Sequence, residues 1–231
     1  MAEHDQKVQR LQLSQQVADL LRQRILNGQV PAGSWLRQDH LARELGVSAI
    51  PVREALKLLA AQGLVEHLPY RGIRVVQLSS QELEDLYAVR AFVEGLAARF
   101  AALHVTEEEV ARLQQLCQAM EACDTPDTLP RYRELNRQFH LGVAAGSRRS
   151  YLIRLVEQFW TAYPTMLWSN YPQVAESSLP GRALTDSQEH RAIVAALQQR
   201  EPEVACRAME EHVRRAGQAL VGFVRSREQH P

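Results

Sequence analysis

The stretch "ELGVSAIPVREALKLLAAQGLV", residues 44–65, breaks a helix-forming pattern at Gly46-Val47-Ser48 and resumes it around Pro51. Gly46 permits the sharp turn that sets two helices at an angle, the hinge of a helix-turn-helix. Ser48 suits the N-cap of the second helix, and Pro51 then falls in the first turn, where a missing N–H costs no bond. Val52, Ala55, Leu56 and Leu59 recur on one side of that helix and are expected to pack inward. Ile50, Arg53 and Lys57 lie on the opposite side. A helix seated on a small core, with its N-terminal half turned outward, has the form that enters a DNA major groove about 12 Å wide. The positive end of its dipole also favours a nearby phosphate. Spacing alone leaves a second possibility open: a helical pair that only packs, with Arg53 and Lys57 as solvated charges.

Working outward, Leu13, Val17, Leu20, Leu21 and Ile25 recur at helical spacing before the stop signal Asn27-Gly28. A turn containing Pro31 and Gly33 follows, then a short helix over about 38–45. Beyond Gly63, "LVEHLPYRGIRVVQ" (residues 64–77) alternates β-branched and polar residues around Pro69-Tyr70-Arg71-Gly72 and reads as a hairpin. Arg71 would stand at its tip and Gly72 would allow close approach to a backbone, with His67 and Arg74 as further phosphate contacts. From Ser79 the pattern turns helical. Ser79 with Glu82, and Thr106 with Glu109, fit the capping box. Helices are expected over about 80–104, 107–122, 129–145, 149–163, 184–200 and 203–226. The expected architecture is mainly α, with a helix-turn-helix and hairpin over 1–78 and an all-helical antiparallel bundle over 79–231.

The 231 residues suffice for two modest cores, and an aromatic content of 6% within 45% hydrophobic residues suits helices built on Leu, Ala and Val. Formal charge sums to zero but is uneven: ten Lys/Arg against seven Asp/Glu before Ser79, seventeen against twenty from there on. That asymmetry turns a mildly basic front toward a polyanion. Cys117, Cys123 and Cys206 form no CxxC pair and read as buried free thiols of a reducing compartment. No apolar run approaches the ~18 residues of a membrane span, and the first ten residues lack a signal-peptide apolar region. A cytoplasmic protein without membrane attachment is expected.

The run from Leu36 to Val75 resembles the winged helix-turn-helix of the GntR family of bacterial transcription regulators. Its elements L-A-x-x-L-G-V-S, P-V-R-E-A-L, G-L-V and R-G-x-x-V stand in the family's order and spacing. The resemblance implies that Arg53, Arg71 and Gly72 approach DNA with Ser48 near a phosphate. Arg37, Ile50 and Lys57 complete the candidate DNA-facing set. Members usually carry arginine directly after that serine, whereas Ala49 stands here. Losing a bidentate guanine contact removes about 1–3 kcal/mol of base discrimination, so a divergent operator is expected. One winged module makes few phosphate contacts, so a homodimer on a short palindrome is expected.

Three of the eight histidines lie inside expected helices of the second half: His140 in "NRQFHLGV", His190 in "QEHRAIVAAL" and His212 in "EEHVRRA". Asn136 and His140 are i,i+4 neighbours, so one helix face can offer both to a single ion. Spacing alone favours three unrelated, partly buried and hydrogen-bonded histidines, because ligands scattered over three helices have no local signature. From Ser80 to about Arg225 the chain resembles the helical effector domain, FCD, of the FadR subfamily. That resemblance implies that Asn136, His140, His190 and His212 surround one divalent transition metal ion, zinc first, with nickel or manganese as alternatives. Asn stands where Asp is commoner, which predicts weaker metal binding and a stronger pull on an anionic effector. By spacing, Arg90 and Glu94 are a helix-surface ion pair. By resemblance, Arg90 holds the carboxylate of a small organic acid. Phe139, Trp160, Tyr163, Trp168 and Tyr171 are expected in core and lid.

The expected function is a metabolite-responsive transcription regulator, a repressor, binding operator DNA as a dimer. The alternative is a metal-dependent hydrolase with a helical active site, for which Glu94 and Glu189 are candidate bases.

Overall fold

The computed structural model describes residues 2–26, 28–123, 125–162 and 186–229. The chain divides into two compact units, the first built on residues up to Gln77 and the second opening at Leu78.

In the first unit α1 (Ala2–Leu26), α2 (Gln38–Leu45) and α3 (Ala49–Ala61) pack with three short strands, β1 (Trp35–Leu36), β2 (Val65–Leu68) and β3 (Gly72–Val75). The strands form one antiparallel sheet in the order β1-β3-β2. Its core joins Val17, Leu21 and Ile25 of α1 to Val52, Ala55, Leu56 and Leu59 of α3 and to Leu64 and Val75. The inward side expected for α3 is therefore the buried one. Gly46 ends α2 with φ of 65°, and nothing lies within 4 Å of where a Cβ would stand. Backbone conformation rather than crowding requires glycine there.

Three local expectations need correction. α1 begins at Ala2, well before Leu13; residues 2–12 contain neither Gly nor Pro, and a helix continues through polar sequence that shows no apolar stripe. β1 was not foreseen, because two residues show no alternation; Trp35 and Leu36 are strand only through pairing with Arg74 and Ile73. Ser48 sits at the N-cap of α3 with extended backbone, yet its side chain makes no cap hydrogen bond.

The second unit contains α4 (Ser80–His104), α5 (Glu107–Glu121), α6 (Leu129–Gly146), α7 (Ser150–Ala162), α8 over 186–198 and α9 (Pro202–Gln229). Both capping boxes form as expected: Ser79 and Thr106 accept from the N–H groups of Glu82 and Glu109, whose carboxylates return to the cap N–H groups. Helices α4 and α9 approach closely because they meet at small residues. A Cβ on Gly217 of α9 would lie 2.5 Å from the ring carbon Cγ of Tyr87, and one on Gly95 of α4 would lie 2.5 Å from Glu210 Cγ. Ala91, Ala98 and Ala102 of α4 are fully buried. Cys117 and Cys123 are buried, but Cys206 is only half-buried, since its position on α9 lies at the edge of that contact. Among the described residues no helix is long and apolar enough to cross a membrane. Tyr163, Trp168 and Tyr171 lie outside the described residues.

Candidate functional site

The outward side of α3 carries the expected groups. Ile50 is 48% exposed, and the side chains of Arg53 and Lys57 are 54% and 65% exposed. Ser48, Arg37, Arg71 and Gly72 are exposed as well. Glu54 lies between the two cations, accepting from Lys57 Nζ at 3.0 Å, with Arg53 Nε 3.5 Å away. Those contacts hold its carboxyl below the ordinary range. A single exposed carboxylate shared between two flexible cations restrains them weakly. Arg74 is different: its Nε and Nη2 donate to Glu66, its registered partner across the ladder, at 3.0 and 2.6 Å. A phosphate contact by Arg74 would therefore have to share the guanidinium with Glu66.

The hairpin tip is closed by Arg71 N–H donating to the Leu68 carbonyl at 3.0 Å. Pro69 and Tyr70 form its centre, and Tyr70 takes a left-handed φ of 64°. A left-handed third position after proline is the type II pattern, where Gly or Asn is preferred. A residue with a Cβ costs about 1–2 kcal/mol there.

In the second unit the three histidines converge. Their ring nitrogens lie within 4.8 Å of one another, and all three residues are buried. His140 Nε2 and His212 Nε2 face each other at 3.3 Å. Two ligands ~2.05 Å from one tetrahedral zinc stand ~3.3 Å apart, so this spacing fits an ion. His140 comes from α6, His190 from α8 and His212 from α9.

The opposite edges of the rings explain why they face this way. Nδ1 of His140 lies 2.5 Å from Glu94 Oε2, and Nδ1 of His212 lies 2.8 Å from Glu189 Oε2. Burial pushes the Glu94 carboxyl up, but the Arg90 guanidinium and the His140 ring outweigh it and bring it to about 2. Burial likewise raises Glu189, and its bonds to His212 and Arg215 bring it below its ordinary value. Ionised carboxylates only accept, so each Nδ1 carries the proton and donates. Burial draws His140 below the ordinary imidazole value, against the opposing pull of Glu94. With each Nδ1 held by a carboxylate, the two rings turn their Nε2 atoms toward each other, an arrangement that an ion between them would satisfy. Asn136, one turn before His140, adds an Oδ1 that is buried and finds no donor among the described residues. An amide oxygen and three imidazoles form a donor set suited to zinc, nickel or manganese.

The spacing-based expectation of a surface pair at Arg90 and Glu94 is corrected. Their side chains are 4% and 2% exposed, and Arg90 Nε and Nη2 donate to Glu94 Oε1 at 3.0 and 2.8 Å. The Arg90 guanidinium also lies 4.9 Å from the Tyr87 ring centre and 4.8 Å from that of Trp160. The pair closes inward because it lies on the buried side of α4 with Ala91, Val93 and Ala97, while Val89 and Phe92 on the other side are exposed. The Trp160 ring lies 4.7 Å from His140, tilted by 34°, and Phe139 lies 4.6 Å from His190, so both aromatics wall the site. Glu94 and Glu189 each serve an imidazole and an arginine. Their positions, 46 and 23 residues from the histidines they hold, are not deducible from local spacing.

Comparison with known proteins agrees with both halves. Residues 13–75 match the bacterial regulatory proteins of the gntR family, and residues 85–215 match the FCD domain. A probable D-xylose utilization operon transcriptional repressor of Paenarthrobacter nicotinovorans is 32% identical over 210 residues, spanning 90% of this chain and 88% of its own. The gluconate operon transcriptional repressor of Bacillus licheniformis is 28% identical over 161 residues, 70% of this chain and 61% of its own. Among solved structures, Escherichia coli McbR/YncC superposes with a TM-score of 0.72 at 22% identity, covering 94% of this chain and 98% of that one, a likeness of fold. The chain belongs to the GntR family of transcriptional regulators and carries, behind its winged helix-turn-helix, an FCD domain.

Proposed function

We propose that the protein is a repressor that binds a palindromic operator as a homodimer and releases it when a small carboxylate reaches a divalent ion in the second unit. Asn136, His140, His190 and His212 would hold the ion. The observation that carries this reading is the pair of Nε2 lone pairs facing each other at 3.3 Å, each ring fixed from behind by an ionised carboxylate. A bound divalent ion supplies a positive centre for an anion. Arg90 lies beside it, already in contact with Glu94, so its fork would orient an effector carboxylate only by sharing that charge. Asn136 contributes no charge, which leaves the ion's attraction for an acid undiminished. One relative's name refers to gluconate, a sugar acid, in keeping with a sugar acid or hydroxy acid here.

The protein surfaces available to DNA would be the outward side of α3, with Arg53 reading bases, and the hairpin as wing. The effector acts by population shift, bounded by its difference in affinity for the two states.

The decisive experiment pairs metal analysis with DNA binding. Wild-type protein should purify with about one ion per chain and retard a duplex from its own upstream region. The His190→Ala protein should lose the ion; unchanged metal content would remove the site as proposed. A carboxylate that releases the duplex should be recovered unaltered, whereas steady consumption would favour a hydrolase.

A further inference from the structure

We infer that Ile50, with Ala49 beside it, reads the C5-methyl group of thymine, so that the operator carries thymine where the first turn of α3 meets the base edges. This rests on the DNA-binding reading of the first unit and adds to it one base and the chemical group by which that base is recognised.

The first observation is an apolar helix start. Val52, Leu56 and Leu59 of α3 are fully buried, and Leu45 and Val47 before it pack against the same core. Ile50 does not join them; it is 48% exposed and shares its side of the helix with Arg53 and Lys57. Isoleucine does nothing for a helix start, since it neither caps the N–H groups nor carries the negative charge favoured there. Around it, α3 has no acidic residue in its first turn, and Ser48 makes no cap hydrogen bond. Ala49 is exposed as well. The solvent-facing side chains of that turn are therefore aliphatic, on a helix whose next outward residues are cations.

The second step is chemical. In the major groove the base edges present hydrogen-bond donors and acceptors and a single apolar substituent, the C5-methyl of thymine. An aliphatic side chain pressed against guanine, adenine or cytosine strips water from a polar atom and returns no hydrogen bond, which is costly. Against thymine the same side chain meets a methyl group, and both apolar surfaces leave water together. Selection for thymine thus has an attractive part and a repulsive part. Ala49 contributes a second methyl on the same turn. Arg53 stands one turn further along and keeps the fork that suits guanine, so the two turns read different bases.

The test starts from duplexes that the wild-type protein selects out of a random-sequence pool. Each thymine of a selected site is then replaced in turn by deoxyuridine, which pairs identically and lacks only the methyl group. At one or two positions of each half-site the wild-type protein should bind about 4-fold more weakly, as expected for one buried methyl. Ile50→Ala should melt as wild type does, because the side chain lies outside the core. It should bind the thymine duplex more weakly and lose nothing further when deoxyuridine stands at those positions. A wild-type protein indifferent to every deoxyuridine replacement would overturn the inference, as would selected sites without thymine. An Ile50→Ala protein that keeps the full wild-type loss at the same positions would overturn it too. A wild-type protein that selects no sequence would instead remove the DNA-binding reading itself, and this inference with it.

Discussion

Glu189 stands behind His212, outside the proposed ligand set, where a carboxylate orients the ring. Its carboxylate accepts from His212 Nδ1 at 2.8 Å and from Arg215, so it fixes both the tautomer and the tilt of the ring. Glu189→Gln keeps the shape and removes the charge. Metal affinity is expected to fall ~10–100-fold, as for other carboxylates behind ligating imidazoles, and a competitive chelator titration measures it. Affinity equal to wild type would mean that His212 does not ligate. Asn136→Asp works in the other direction: a charged oxygen replaces a neutral one that lacks a donor, and affinity should rise by about tenfold or more. The same titration reads it, and a fall would exclude residue 136 from the ion's ligands. The three histidines and Asn136 were legible because each lies inside a recognisable helix and the resemblance joins them. Glu94 and Glu189 were visible only as carboxylates, since packing alone brings them to histidines 46 and 23 residues away. The Arg90–Glu94 pair was legible as i,i+4 neighbours, but its burial follows from what other helices place over it.

At the scale of elements, α4 and α9 supply part of the site, Arg90 and Glu94 on one and His212 and Arg215 on the other, beside His140 of α6 and His190 of α8. Their separation is set by small residues. Gly217 admits the Tyr87 ring, and a methyl group there would meet Tyr87 Cβ, Cγ and Cδ1 at 2.5–2.7 Å. Tyr87 Cβ is fixed to the α4 backbone, so the collision cannot be relieved by rotating the ring alone. Gly217→Ala should therefore destabilise the protein by about 1–3 kcal/mol despite its better helix propensity. Denaturant unfolding followed by circular dichroism would read the loss, and a gain in stability would contradict the packing described. Helices with local signals were legible: the capping boxes at Ser79 and Thr106, the glycine stop at Gly46, the inward stripe of α3. Elements defined by a partner were not. β1 exists only through β3, and the N-terminal extension of α1 is polar sequence that no periodicity marks.

For the whole molecule, formal charge sums to zero, so net attraction cannot bring it to DNA. Affinity must come from the local cationic surface: Arg37, Arg53, Lys57 and Arg71 are the exposed candidates in each chain. If each neutralises one phosphate, a single module releases about four counterions and a dimer about eight. The logarithm of operator affinity should then fall against the logarithm of salt with a slope of roughly −7 for a dimer and roughly −4 for one module. Titration of a duplex from the protein's own upstream region across a series of potassium chloride concentrations distinguishes the two. Lys57→Ala, which removes one contact per chain, should flatten a dimer's slope by roughly 2 and weaken binding to specific and random duplexes alike. Arg53→Ala should flatten the slope by a similar amount but relax sequence preference as well. Equal losses on specific and random DNA would assign Arg53 to the backbone, and a wild-type slope near −4 would leave one winged module, and no dimer, on the operator.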